Sequence, residues 1–204
     1  MAQNNDLNNT SSTFNADSLS VNSAYTFPIA AGTEGNRIET DGSEVGSWDT
    51  NNNEGNIVQT VYNSTSSKVD CNTTFPRDDT IPQNTEGDEV LTVTITPTSS
   101  TNDLIIRFTA CTTVDTRYIG FAALFQDSTA NALAVNIGRT YPYELNYGCS
   151  TSLTYYMAAG TTSSTTFKIR MGGNANDVEV NGYQNSRIFG GVSSTHLFVQ
   201  EVKV

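Results

Sequence analysis

The chain has 204 residues with 10 Lys and Arg against 21 Asp and Glu, a formal charge of −11, which fits one domain or a domain with an appendage. Only 15% of the residues are charged while Ser, Thr and Asn make up roughly a third, a balance that disfavours long surface helices and favours strands and turns. The acidity and the lack of a basic stripe exclude a phosphate-backbone partner, and no apolar run nears the ~18–20 residues of a membrane-spanning helix.

The N-terminus, MAQNNDLNNT, has neither the basic nor the apolar part of a signal peptide, so a soluble chain without a conventional secretion address is expected. Residues 1–55 hold eight acidic residues and one basic residue, Arg37, and their apolar residues are sparse and irregular. Such a segment cannot bury enough surface to offset its ordering entropy, so it is disordered or ordered against something else. Its anchors would be Leu7, Phe14, Leu19, Tyr25, Phe27 and Trp48, the last followed by a polar connector that ends near Ile57. The division expected is an extended arm over 1–23, a β module over 24–50, a linker over 51–56 and a head domain over 57–204.

Strand signals then follow one another, each bounded by turn residues. IVQTVY (57–62) precedes a polar excursion containing FPRDDTIPQNTEGDE, after which VLTVTITP (90–97) alternates Leu91, Val93 and Ile95 with threonines, one face buried and one wet. DLIIRFTACTTV (103–114), RYIGFAALFQ (117–126), ALAVNIGR (132–139), NYGCSTSLTYYMA (146–158), TTFKIRMG (165–172), DVEVNG (177–182) and STHLFVQEVKV (194–204) complete the series. This spacing predicts an all-β fold, an antiparallel sandwich or jelly roll.

In YIGFAALF neither face is polar. Ile119, Phe121, Ala123 and Phe125 fall on one side and Tyr118, Gly120, Ala122 and Leu124 on the other, so both faces need a cover. Tyr155 and Met157 add large apolar side chains on a later strand. One reading is a homo-oligomer whose interface holds Tyr118, Gly120, Ala122, Leu124, Tyr155 and Met157. The competing reading is that another part of the same chain covers the second face.

Catalytic signals are missing from the sequence: there is no nucleophile elbow, zinc-protease helix or phosphate loop. The lone His196, in an alternating strand, reads as a structural group, so no enzyme is expected. Asp78, Asp79, Glu86, Asp88 and Glu89 form an acidic loop, read as solvated, with opportunistic Ca²⁺ as the alternative and no other cofactor. Cys71, Cys111 and Cys149 are odd in number and widely spaced, which suggests buried free thiols. Candidate receptor contacts lie in loops: Tyr141, Tyr143, Asn174, Asn176, Tyr183, Asn185 and Arg187, where aromatic rings stack on sugars while amides and Arg bind hydroxyls.

Two segments carry a resemblance. The run Tyr25, Thr26, Phe27, Pro28, then Gly35, then Thr40, Asp41, Gly42, then Ser47 and Trp48 resembles a short module of tailed-phage fibre and virion proteins, with Ile38 and Glu39 where that module has an apolar residue before its turn. The remainder, most tellingly VTITPTSSTNDLIIRF with its turn through Thr96, Pro97, Ser99 and Asp103, resembles the trimeric jelly-roll domain of phage structural proteins, related in architecture to tumour-necrosis-factor heads. The resemblance implies a homotrimeric virion-surface fibre or spike, assembled in the host cytoplasm. In that reading the N-terminal arm docks on other virion proteins and the head faces outward, available for attachment to a host glycan or protein. A capsid decoration, or cement, protein that stabilises the head shell is the alternative.

Overall fold

The computed structural model describes residues 20–21, 25–26, 38–40, 46–48, 54–114, 119–138, 148–174 and 178–204. By contacts the chain divides into two units, Met1–Asn52 and Asn53–Val204. In the first, β1 (Ser20–Val21) pairs with β2 (Tyr25–Thr26), and β3 (Ile38–Thr40) pairs with β4 (Gly46–Trp48), placing Ile38 opposite Trp48 and Thr40 opposite Gly46. The side chains of Leu7, Phe14, Leu19, Tyr25, Phe27 and Trp48 lie outside the described residues, so the expected anchoring role rests on the sequence alone.

The second unit is built from β5 (Ile57–Thr65), β6 (Val69–Cys71), β7 (Asp88–Ile95), β8 (Asp103–Val114), β9 (Gly120–Gln126), β10 (Ala134–Gly138), β11 (Gly148–Ala158), β12 (Thr165–Gly173), β13 (Val178–Val180), β14 (Gly182–Tyr183), β15 (Ser186–Arg187) and β16 (Thr195–Val202). Among the described residues its one helical element is a 3-10 turn at Phe189–Gly191. No helix among the described residues is long and apolar enough to cross a membrane.

Two antiparallel sheets carry the fold. One runs β10-β9-β12-β7 and is called here the β9 sheet. The other, the β8 sheet, runs β5-β16-β8-β11, since Leu104 of β8 pairs with Glu201 of β16 on one side and Met157 of β11 on the other. Beyond β16, the end of β8 pairs with β13, which pairs with β6. Alternation sends Leu91, Val93 and Ile95 of β7, Phe167, Ile169 and Met171 of β12, and Ala122 and Leu124 of β9 inward. They meet Leu104, Ile106 and Phe108 of β8, Leu153 of β11, and Leu197 and Val199 of β16 in one core. Burial of the larger of these side chains, each stabilising by about 1.5–3 kcal/mol, supplies the driving force.

Edge strands expose unpaired backbone groups and invite aggregation. Here Asn and Gln side chains close both sides of the sandwich. Gln59 of β5 donates to the Thr96 carbonyl at 2.8 Å and Asn63 donates to the Thr92 carbonyl at 2.9 Å, tying β5 to the β7 side. On the other side Asn136 of β10 donates to the Ser152 carbonyl of β11. Part of the amide-rich composition is thus used as a seam between sheets.

The turn that follows β7 is set by a buried charge. Strict alternation in THLFVQEV points Thr195, Leu197, Val199 and Glu201 inward, and the Glu201 carboxylate is fully buried. It accepts hydrogen bonds from Gln59 (2.6 Å), the Thr98 amide and hydroxyl (both 2.8 Å), the Ser99 amide (3.2 Å) and Asn102 (2.6 Å). Burial alone would raise its pKa, but these donors outweigh that and hold the carboxyl down at about 2. Five donors on one carboxylate fix the Thr98–Asn102 turn against β16 and satisfy the charge.

Candidate functional site

The doubly apolar strand β9 is covered on both faces by its own chain. Ala122 and Leu124 are fully buried in the main core, and Gly120 is buried as well. The opposite face, Phe121, Ala123 and Phe125, packs with Phe75, Ile119 and Ala132 in a second cluster. Phe75 comes from the polar excursion between β6 and β7; its ring lies 6.3 Å from that of Phe121 and its amide donates to the Gly173 carbonyl at 2.9 Å. The ring fits because Gly87 and Gly172 have no Cβ: a side-chain carbon at either would run into Phe75, and at Gly172 into the Thr73 carbonyl as well. Arg170 fastens the excursion by donating to the carbonyls of Glu86 (2.8 Å) and Gly87 (2.6 Å).

This arrangement corrects the expected interface. Gly120, Ala122 and Leu124 cannot meet another chain because they lie inside the protomer, and Tyr155 and Met157 are half-buried, directed to the same core. Tyr118 lies outside the described residues.

The outer face of the β8 sheet has no such cover among the described residues. β5 presents Tyr62, 67% exposed, opposite Phe198 of β16, and the two rings stack at 5.7 Å. His196, two residues back on β16, also stacks with Phe198 at 5.9 Å, with its Nε2 2.7 Å from the Ser194 hydroxyl. Register then places Arg107 of β8 beside Phe198, Ile105 beside Gln200, and Tyr156 of β11 beside Ile105. Tyr156 is 61% exposed and its hydroxyl donates to Asp103. Sequence reasoning missed this surface. The signal was the outward alternation of Tyr62 and Phe198, but only strand pairing brings them together.

Above that face, the chain from β14 to β16 folds over the end of β8. The β14–β15 hairpin turns through Gln184 and Asn185, both with positive φ (48° and 64°), as a two-residue type I′ loop requires. It is held down where the Asn181 amide donates to the Cys111 carbonyl (3.0 Å) and the Thr113 hydroxyl donates to the Gly182 carbonyl (2.9 Å). Between this flap and the sheet lies a groove of about 680 Å³, lined by Thr109, Cys111, Ser150, Tyr183, Ile188, Phe189 and neighbours.

Of the loop residues expected to meet a receptor, Tyr183 lines this groove. Asn185 is a turn residue whose amide donates to Glu179 at 2.7 Å, and the Arg187 guanidinium lies against Gly191. Asn174 is engaged internally, accepting from the Ile119 amide at 2.9 Å. Tyr141, Tyr143 and Asn176 lie outside the described residues.

The acidic loop is dispersed into local roles. Asp78 accepts from the Thr80 amide and hydroxyl, Glu86 from the Gln83 amide, and Glu89 from Thr92. Asp88 is pushed up by burial but more strongly held below the usual range by donors from Thr73 and Asn72. No three metal-ligating side chains group together among the described residues. The three thiols are free, but only Cys71 is buried; burial first, then Asp88 and Asp70, pushes it up to about 12, whereas Cys111 and Cys149 are half-buried.

No known family profile matches the chain, and no curated protein matches it significantly. What the residues and the structure define is a nearly all-β protein of curled antiparallel sheets.

Proposed function

We propose that this is a non-enzymatic structural protein of a bacteriophage virion surface. It is a homotrimeric fibre or spike whose N-terminal unit docks on other virion proteins and whose head is a jelly roll. The observation that carries the reading is strand order. Counting the eight principal strands β5, β7, β8, β9, β10, β11, β12 and β16 from one to eight, the sheets run 1-8-3-6 and 2-7-4-5, the connectivity of two interlocked Greek keys. The sequence resemblance to virion modules supplies the setting, and the surface chemistry agrees with it: an acidic, hydroxyl-rich exterior resists nucleic acid released beside a particle.

Self-association is assigned to the outer face of the β8 sheet. Two tyrosines and a phenylalanine standing in water on one sheet face are costly, and burying them between copies recovers that energy. Both lateral edges are closed by amide seams, which leaves faces rather than edges for contact.

Antibody raised against residues 57–204 and applied to intact phage particles tests the setting: decoration of the particle surface is expected, and an antigen confined to the soluble lysate contradicts it. Copy number on purified particles then separates a fibre from a shell-wide cement protein.

A further inference from the structure

We infer that the groove between the β14–β16 flap and the end of β8 is a binding site for an uncharged saccharide. Every described lining residue belongs to one chain, so the inference does not depend on which particle carries the protein.

Its volume, about 680 Å³, falls within the ~300–1,000 Å³ of small-ligand sites. Two aromatic side chains line it, Tyr183 and Phe189. Phe189 is 72% exposed and sits at φ 51°, followed by Gly190 and Gly191 at 61° and 88°. A bulky residue in the left-handed region is strained by roughly 1–3 kcal/mol, and such strain persists where surrounding structure enforces it. Here the enforcement is visible: Gly191 donates to the Ile188 carbonyl (3.2 Å), Val192 to the Phe189 carbonyl (3.1 Å), and Arg187 packs on Gly191. A strained backbone thus holds a phenyl ring out in solvent at the lip of a groove.

The wall is largely apolar and carries several hydroxyl groups. Thr109 and Ser150 are exposed on the sheet floor beside the Cys111 thiol, Ser194 adds a hydroxyl, and among the described residues no charged side chain lines the groove. A charged ligand finds no counter-charge there, and a wholly apolar one strands the hydroxyls without partners. Sugars combine what the lining asks for, with C–H faces to stack on aromatic rings and hydroxyls to exchange hydrogen bonds with Thr and Ser.

The test is an array of neutral oligosaccharides, with sialylated and sulfated counterparts, probed with the labelled full-length chain; the best neutral binder is then titrated calorimetrically. Binding to neutral members, weakened at least tenfold by Phe189→Ala and by Tyr183→Ala at unchanged melting temperature and solution mass, is expected. No binding to any neutral member, preference for the acidic counterparts, or affinity that neither substitution changes overturns the assignment.

Discussion

The two sheets treat their outer faces differently. The β9 sheet lays Phe121, Ala123 and Phe125 against Phe75 from its own chain, whereas the β8 sheet leaves Tyr62, Phe198 and Tyr156 in water. In sequence the ranking is the reverse: YIGFAALF is apolar throughout and looks like the strand awaiting a partner, while THLFVQEV and IVQTVYNS look half-wet. An apolar run reports that a cover exists, not which chain provides it. Conversely, single outward aromatics become a surface only when register aligns them, as Tyr62 and Phe198 are aligned here.

The largest way to break this contrast is to remove the internal cover. Phe75→Ala empties a nearly fully buried ring site and costs about 3–5 kcal/mol, and calorimetry should show a melting temperature lower by roughly 10 °C. If the melting point is unmoved, the excursion is not what covers β9.

Next is the buried carboxylate. Glu201→Gln places a donor among donors and is expected to destabilise by on the order of 3 kcal/mol at neutral pH, measured by urea unfolding. Because the folded pKa is held down at about 2, the charge-linked stability is fully present above the ordinary glutamate value and is lost as pH falls through about 2. The substituted chain should lack that part of the acid dependence, so its stability should fall less between pH 5 and pH 2 than that of the unaltered chain.

A smaller effect sharpens the geometry of the cover. Gly172→Ala sets a methyl against Phe75 and the Thr73 carbonyl, an overpacking cost of about 1–3 kcal/mol, whereas Gly160→Ala has open space around it and pays only for its positive φ. Equal losses at the two positions would argue against the Phe75 nest. The smallest effect is chemical: under native conditions at pH 8 Cys71 should resist a thiol reagent that modifies Cys111 and Cys149, and should react once the chain is unfolded.

Much of the second unit was legible because alternation and turn residues are local signals. The expected strand over 103–114 coincides with β8, and the neighbours of β8 differ from expectation by a few residues at their ends. The Thr96–Asp103 turn was legible as a turn, but its organiser was not: Glu201 lies 99 residues from Asn102 along the chain, and only its inward place two residues after the buried Val199 marked it. Phe75 was hidden among polar residues of the excursion, and β6, β14 and β15 were too short for a period of two to register. The groove was half legible, since Tyr183 was picked out for its chemistry while Phe189 owes its exposure to a backbone conformation that composition does not reveal.

Copies of the chain are proposed to join through the open aromatic face, not through the β9 strand. Light scattering on the full-length protein and on a Tyr62→Ser, Phe198→Ser double variant tests it most directly. Three times the 22.0 kDa chain mass is expected for the unaltered protein and a folded monomer for the variant, with its melting temperature little changed. A variant that keeps the unaltered protein's mass, or an unaltered chain that is already monomeric, would contradict it.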